Sequence, residues 1–232
     1  MNKLKCLSGA TLKYIALITM IMDHADKTVL FQYTVMDNPP AIATWLSNAF
    51  GILGRISFPI FAFLLVEGFY HTRNKAKYLR NMLVFAVISE IPFNMYTGGE
   101  FFVTWHQNIF FTLAIGLCVI WGIESLKQRT DKWKLLAIGV ILLGCLVATL
   151  SQADYSYQGV LVIALFYLFR DNKFRSLIAF IPLLKTPWAI LGFAITNLYN
   201  GERGKQFKWF NYWVYPVHLL ILGLIRMYYF GV

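Results

Sequence analysis

Predominantly apolar stretches recur along the chain at 12–31, 45–70, 81–97, 107–126, 135–150, 157–169, 176–199 and 211–230. A helix that crosses the hydrocarbon of a bilayer needs about 20 such residues, with a lower limit near 17. A chain divided in this way is expected to form an all-α, polytopic bundle of membrane helices. The runs at 135–150 and 157–169 are short, so their ends must borrow flanking polar residues or lie where the bilayer thins. Composition points the same way. Apolar residues make up 58% of the 232 residues and charged residues 14%, whereas ordinary globular chains carry about 25% charged residues.

The net charge of +10 is not a nucleic-acid signature, because the cations fall in short clusters between the apolar runs. Those clusters are Lys3/Lys5, Arg73/Lys75/Lys77/Arg80, Lys127/Arg129/Lys132/Lys134, Arg170/Lys173/Arg175 and Arg203/Lys205/Lys208. The connections at 32–44, 98–105 and 151–156 contain no Lys or Arg. Basic loops stay in the cytoplasm, which places the N-terminus and every cluster there. Both 170–175 and 200–208 then lie inside, so 176–199 must cross an even number of times. Pro182 and Pro187 flank Lys185 in its middle, which predicts a broken helical hairpin. The total becomes about nine spans, with the C-terminus outside, in a single transmembrane domain over 1–232. Cys6, Cys118 and Cys145 lie far apart, with no disulfide or metal-ligand spacing. The first span follows a basic start and no small-residue cleavage site, so it reads as uncleaved.

An ionisable residue within a span costs at least a few kcal/mol and is a functional candidate by default. Lys13 and His24 lie eleven residues apart. At about 100° per residue both face one way, roughly 16 Å apart along the axis. Such a face can line a passage with a cation at its cytoplasmic mouth and a base at depth; a snorkelling Lys and a packed His are the plain alternative. Asp23 points about 100° away from His24 and is suited to pair with Lys27 one turn on. Arg55 lies close in depth to His24, and Pro59 leaves its carbonyl without the usual donor. It either pairs with a carboxylate of another helix or stabilises an oxyanion. Glu67 and His71 share a face at the inner end of that span. Glu90 shares a face with Asn94 and reads as glue between helices or as a functional group. In the run WHQN (105–108), His106 reads as interfacial and Asn108 as the deeper candidate. Tyr215 and His218 are three apart on the last helix. Arg73 and Lys77, with Arg203, Lys205 and Lys208, either follow the positive-inside rule alone or grip the phosphates of a cytosolic donor.

The segments LKYIALITMIMDH (12–24), GRISFPIFAFLLVEGFYHTRN (54–74), EIPFN (90–94), QNIFFTLAIGL (107–117), DYSYQGVLVIALFYLF (154–169) and GERGKQFKWFNYWVYPVHLLIL (201–222) together resemble the TraX family. Its named member acetylates the N-terminus of conjugative pilin, and the family looks related to the acyltransferase-3 membrane superfamily. That superfamily carries a cation, ten residues and a histidine in its first helix. Here these are Lys13 and His24, with Lys as a point charge where Arg would offer a fork. One departure is the charged Ala25-Asp26-Lys27 after the histidine, where the family often has Ile or Leu and then Gly. The resemblance implies an acetyltransferase of the bacterial inner membrane. It would take acetyl-CoA from the cytosol and pass acetyl to an amine or hydroxyl of a protein, peptide or glycan, without metal. By that resemblance His24 acts as general base or acetyl acceptor. Read from their own positions, Arg55 and Asn108 are the candidates to stabilise the oxyanion, and Asp23 or Glu67 to hold the histidine tautomer. Lys13, Arg73, Lys77, Arg203, Lys205 and Lys208 hold the donor. Two rivals use the same residues differently: a proton-coupled transporter and a non-catalytic membrane subunit of a secretion or conjugation system.

Overall fold

The computed structural model describes residues 5–231, with Lys208, Trp209 and Phe210 described in backbone only. Lys3 and the side chain of Lys208 therefore lie outside the described residues. Among these residues the protein is all-α, with no strand. The helices are α1 (Gly9–Ala25), α2 (Phe31–Thr34), α3 (Ala41–Gly54), α4 (Ser57–His71), α5 (Lys75–Gly98), α6 (Ile109–Arg129), α7 (Trp133–Leu150), α8 (Ser156–Leu168), α9 (Arg175–Phe180), α10 (Ile190–Thr196) and α11 (Lys208–Ile225). A π-helical turn, Asp26–Leu30, joins α1 to α2, and another, Arg226–Phe230, extends α11.

Four helical stretches are long and apolar enough to cross a membrane: Ala41–His71, Ile109–Arg129, Trp133–Leu150 and Asn211–Phe230. The helical path from Gly9 to Thr34 is also long, but it carries Lys13, Asp23, Asp26 and Lys27. The clearest sign of a lipid environment is α7. It buries Ala137, Gly144 and Ala148 and exposes Leu135, Leu142, Leu143 and Leu146. Small residues inside and large aliphatic ones outside are the pattern of a helix whose surroundings are hydrocarbon.

Prolines stand at the interruptions. Just before Pro59 the helical path tightens: α3 ends at Gly54 and α4 begins at Ser57, with the Arg55 and Ile56 N–H groups donating to the Ile52 and Leu53 carbonyls. Pro59 then sits in the first turn of α4, where a missing N–H leaves no bond unmade. In 176–199, α9 has six residues and α10 seven, separated by 3-10 turns at Ile181–Leu183 and Pro187–Ala189. At 1.5 Å per residue each short helix rises only about 10 Å, so neither crosses hydrocarbon by itself.

The chain forms two compact units. One comprises Met1–Phe61, Ile88–Val103 and Thr186–Val232; the other comprises Ala62–Val87 and Thr104–Lys185. In the second unit α6, α7 and α8 pack on one another, with Gly144 against Val119 and Val160 and Gly116 against Ile163. In the first unit the start of α1 is enclosed by the loop before α11. Ser8 caps the helix through its hydroxyl, which accepts from the Thr11 N–H at 3.2 Å. The Gly9 and Ala10 N–H groups donate to the carbonyls of Glu202 and Arg203 at 2.8 and 2.9 Å. Gly204 has φ +69 and lies against Ser8 and Ala10. Its glycine thus serves a close approach of loop to helix.

Gly192 of α10 supports the junction between α3 and α4. A Cβ there would stand 2.5 Å from the Ile56 carbonyl oxygen and 3.0 Å from its Cα, both backbone atoms that cannot swing aside. Gly192→Ala is expected to destabilise the protein by about 1–3 kcal/mol through overpacking. Gly139→Ala, at a position with nothing within 4 Å, is expected to be neutral. Thermal unfolding of both variants in one detergent checks the contrast.

Candidate functional site

The site is built where α1 and α11 lie side by side. His24 is near the end of α1, and its Nδ1 meets Nε2 of His218 at 2.7 Å. The two rings are nearly coplanar, 6° apart with centroids 5.0 Å apart. Coplanarity aligns the lone pair of one ring with the N–H of the other, as a strong hydrogen bond requires. Nδ1 of His218 makes a second bond, 2.6 Å, to the carbonyl oxygen of Val214 one turn back. Two aromatic side chains complete the enclosure. Tyr96 of α5 lies 4.9 Å from the His24 ring and Tyr215 lies 6.3 Å from it, both centroid to centroid. His218, Tyr215 and Tyr96 are all buried.

Lys13, on the same face of α1, donates from Nζ to Oε1 of Gln206 at 2.9 Å. Gln206 donates in turn to the Arg203 carbonyl at 3.2 Å, and the Arg203 charge acts on Lys13. The pairs Lys13–Gln206 and His24–His218 follow the same order along both segments, so α1 and α11 run parallel. One end of this helix pair thus carries Lys13 and Arg203, with Lys205 exposed beside them. The His24 imidazole lies about 16 Å further along the same face of α1.

The carboxylates expected to hold the histidine tautomer take other partners. Asp23 pairs with Lys27 and is pressed against Gly54 of α3, because successive helix residues point about 100° apart. Glu67 belongs to the other compact unit. Its two oxygens accept from Nε and Nη2 of Arg170 at 2.8 and 3.0 Å, with His71 a further 3.7 Å contact. The partner of His24 is His218. The contact of Asp23 with Gly54 puts Arg55, the next residue, beside the end of α1 that carries His24. The Arg55 charge acts on Asp26, whose carboxylate also accepts from Ser47.

Asn108, in the second unit, is fully buried. Its side chain caps α6 by accepting from the Phe110 N–H at 3.1 Å and donates to the Ala86 carbonyl at 2.8 Å. His106 stacks on Trp105 and lies 3.8 Å from Asp154. Arg73 and Lys77 are exposed in the same unit. Glu90 is half-buried on α5, and Asn94 of that helix donates to the Phe101 carbonyl at 3.2 Å.

Two polar groupings escape the sequence reading. Arg226 donates to the carbonyls of Tyr96 and Thr97 at 2.9 and 2.8 Å, which satisfies the last turn of α5. Its position inside the final apolar run was the available signal. The second is a chain of contacts in the other unit. Arg170 lies over the Tyr70 ring at 4.3 Å, Tyr70 stacks on Tyr167, Tyr167 donates to Glu124, and Lys127 donates to the Tyr167 hydroxyl at 3.2 Å. Glu67 holds Arg170 firmly protonated through the two hydrogen bonds.

Fold and site together define an all-helical membrane-type protein with a histidine pair enclosed between its first and last long helices. The chain belongs to the TraX family, whose model, TraX protein, matches residues 8–226. It is also similar to the probable fimbrial assembly protein FimC, serogroup H1, of Dichelobacter nodosus. The two are 28% identical over 247 residues, covering 95% of this chain and 96% of the relative. No solved structure matches significantly.

The Glu67–Arg170 pair reads as scaffold. Glu67→Ala leaves Arg170 without its acceptor, and a loss of about 2 kcal/mol is expected, below the range for fully buried pairs because Arg170 is partly exposed. Adding Arg170→Met should recover part of that loss in denaturant titrations.

Proposed function

We propose that this protein is a multi-pass enzyme of the bacterial inner membrane that transfers acetyl from cytosolic acetyl-CoA to an acceptor amine or hydroxyl. The carrying observation is His24, oriented by a 2.7 Å bond to His218 on the helix face that holds Lys13. Lys13, Arg203 and Lys205 supply positive charge where a diphosphate would arrive, and the imidazole stands deeper along the same helix pair. Tyr96 and Tyr215 provide an enclosing aromatic wall for a thin pantetheine-like arm.

His24 acts as general base. The acceptor nitrogen or oxygen attacks the thioester carbonyl carbon and forms the new C–N or C–O bond, while His24 takes the proton that the acceptor gives up. The carbonyl oxygen gains negative charge, for which Arg55 is the cation at the right depth. When the tetrahedral intermediate collapses, the C–S bond breaks. The departing thiolate receives the proton, so His24 is regenerated and free CoA leaves. The fimbrial assembly role in the relative's name supports a pilus or fimbrial subunit as acceptor. It also favours a second reading, a non-catalytic assembly subunit.

The two readings separate in a direct assay. Purified protein in detergent is incubated with radiolabelled acetyl-CoA and candidate amines, peptides and glycans. The enzyme releases CoA, and His24→Phe lowers the rate at least about 100-fold. An assembly subunit shows no release that depends on His24. Lys13→Met tests the donor end: removal of one charge-assisted contact should raise KM for acetyl-CoA about tenfold while kcat changes little.

A further inference from the structure

We infer that His218 is a positioning residue that fixes the tautomer of His24 and leaves His24 Nε2 as the proton acceptor. The inference follows from hydrogen-bond accounting along three groups. The Val214 carbonyl can only accept, so the His218 Nδ1 that meets it at 2.6 Å carries the hydrogen. A neutral His218 therefore has a bare Nε2. The His24 Nδ1 that meets this Nε2 at 2.7 Å must then be the donor. The hydrogen of a neutral His24 is thereby placed on Nδ1, and its Nε2 keeps the lone pair.

The reverse arrangement needs His218 as an imidazolium, with hydrogens on both nitrogens. That would put a cation in an enclosure whose nearest-sequence carboxylate, Asp23, is already bonded to Lys27. The other neighbours of the pair, Tyr96 and Tyr215, carry no charge to offset it. An uncompensated charge away from water is far more expensive than a second neutral ring. The near-coplanarity of the rings, 6°, is what an in-line N–H···N bond requires, and face-to-face stacking would not bring ring nitrogens to 2.7 Å.

This arrangement deepens the acetyl-transfer reading and rests on it for its kinetic part. When His24 takes a proton on Nε2, the positive charge spreads to Nδ1–H, whose acceptor is already in place. His218 can receive that hydrogen in turn, with its own Nδ1–H anchored on a backbone carbonyl. The pair thus performs the orienting task of a carboxylate beside a catalytic histidine, without bringing a charge into the enclosure.

Nitrogen-15 NMR of histidine-labelled protein in nanodiscs tests the tautomer, with His71→Asn and His106→Asn used to assign the signals. The expected spectrum shows His24 protonated on Nδ1 and bare on Nε2, with a scalar coupling across the hydrogen bond to His218 Nε2. A His24 protonated on Nε2 overturns the inference. Kinetics give the second readout. His218→Gln, whose Oε1 can still accept from His24 Nδ1, should keep most of kcat. His218→Phe should lose about 10–100-fold in kcat with KM for acetyl-CoA unchanged. Equal rates for His218→Phe and the unaltered protein also overturn it. The spectrum decides the tautomer whether or not thioester is consumed, so a protein that releases no CoA refutes the acetyl-transfer reading alone.

Discussion

Hydrocarbon offers no water to a polar atom, so each ionisable side chain in a span must meet a partner from another turn or another helix. In the first compact unit this requirement is met by the bond between His24 and His218, and the placement of α1 beside α11 follows from it. Lys13 and Gln206 close the same pair of segments near their start, and the loop carbonyls of Glu202 and Arg203 enclose the first N–H groups of α1. Two contacts separated by nearly equal chain lengths on parallel helices fix the register. A slip of one residue on either helix would turn one partner about 100° away, leaving an imidazole or an ammonium unsatisfied. Arg226 extends the same logic by tying the end of α11 to the final carbonyls of α5.

The second unit handles its charges differently. Glu67, Arg170, Tyr70, Tyr167, Glu124 and Lys127 form a closed set in which each charge has an opposite charge, a hydroxyl or an aromatic face. A set so fully satisfied stabilises helix ends and has little left to offer a substrate. Asn108 shows the same saturation: one amide atom caps a helix and another is spent on the Ala86 carbonyl. In the first unit, by contrast, His24 uses one nitrogen for its neighbour and retains the other. Chemistry needs a group that the fold has oriented without exhausting.

Much of this was written in the amino-acid pattern. The apolar runs give the helices, and Pro59, Pro182 and Pro187 stand in the first turns of the segments that follow the interruptions, where a fixed φ and a missing N–H cost nothing, whereas Pro92 and Pro216 lie inside α5 and α11. The shared face of Lys13 and His24 follows from helical periodicity alone. The partner of His24 does not. His218 is 194 residues away, and periodicity says which way a side chain points but not which helix lies opposite. The same gap explains the carboxylates: adjacency in sequence made Asp23 attractive, whereas adjacency in a helix separates neighbours by more than a quarter turn. Membership of the TraX family agrees with the motifs that carry the resemblance, since the matched region contains Lys13, His24, Arg55, Asn108 and His218 alike.

A second imidazole in place of a carboxylate suits the solvent. A carboxylate beside His24 would orient the ring well, but it would have to be stripped of water before any proton moves, and the desolvation of an ion can exceed what its pairing returns. Two neutral rings avoid that loss, and Nε2 of His218 meets Nδ1 of His24 without adding a charge. The backbone carbonyl of Val214 completes the series at no such expense, since it is already inside the helix and uncharged. The arrangement therefore orients His24 while keeping the enclosure neutral. A charge-free pair also suits the aromatic walls of Tyr96 and Tyr215 that pack against it.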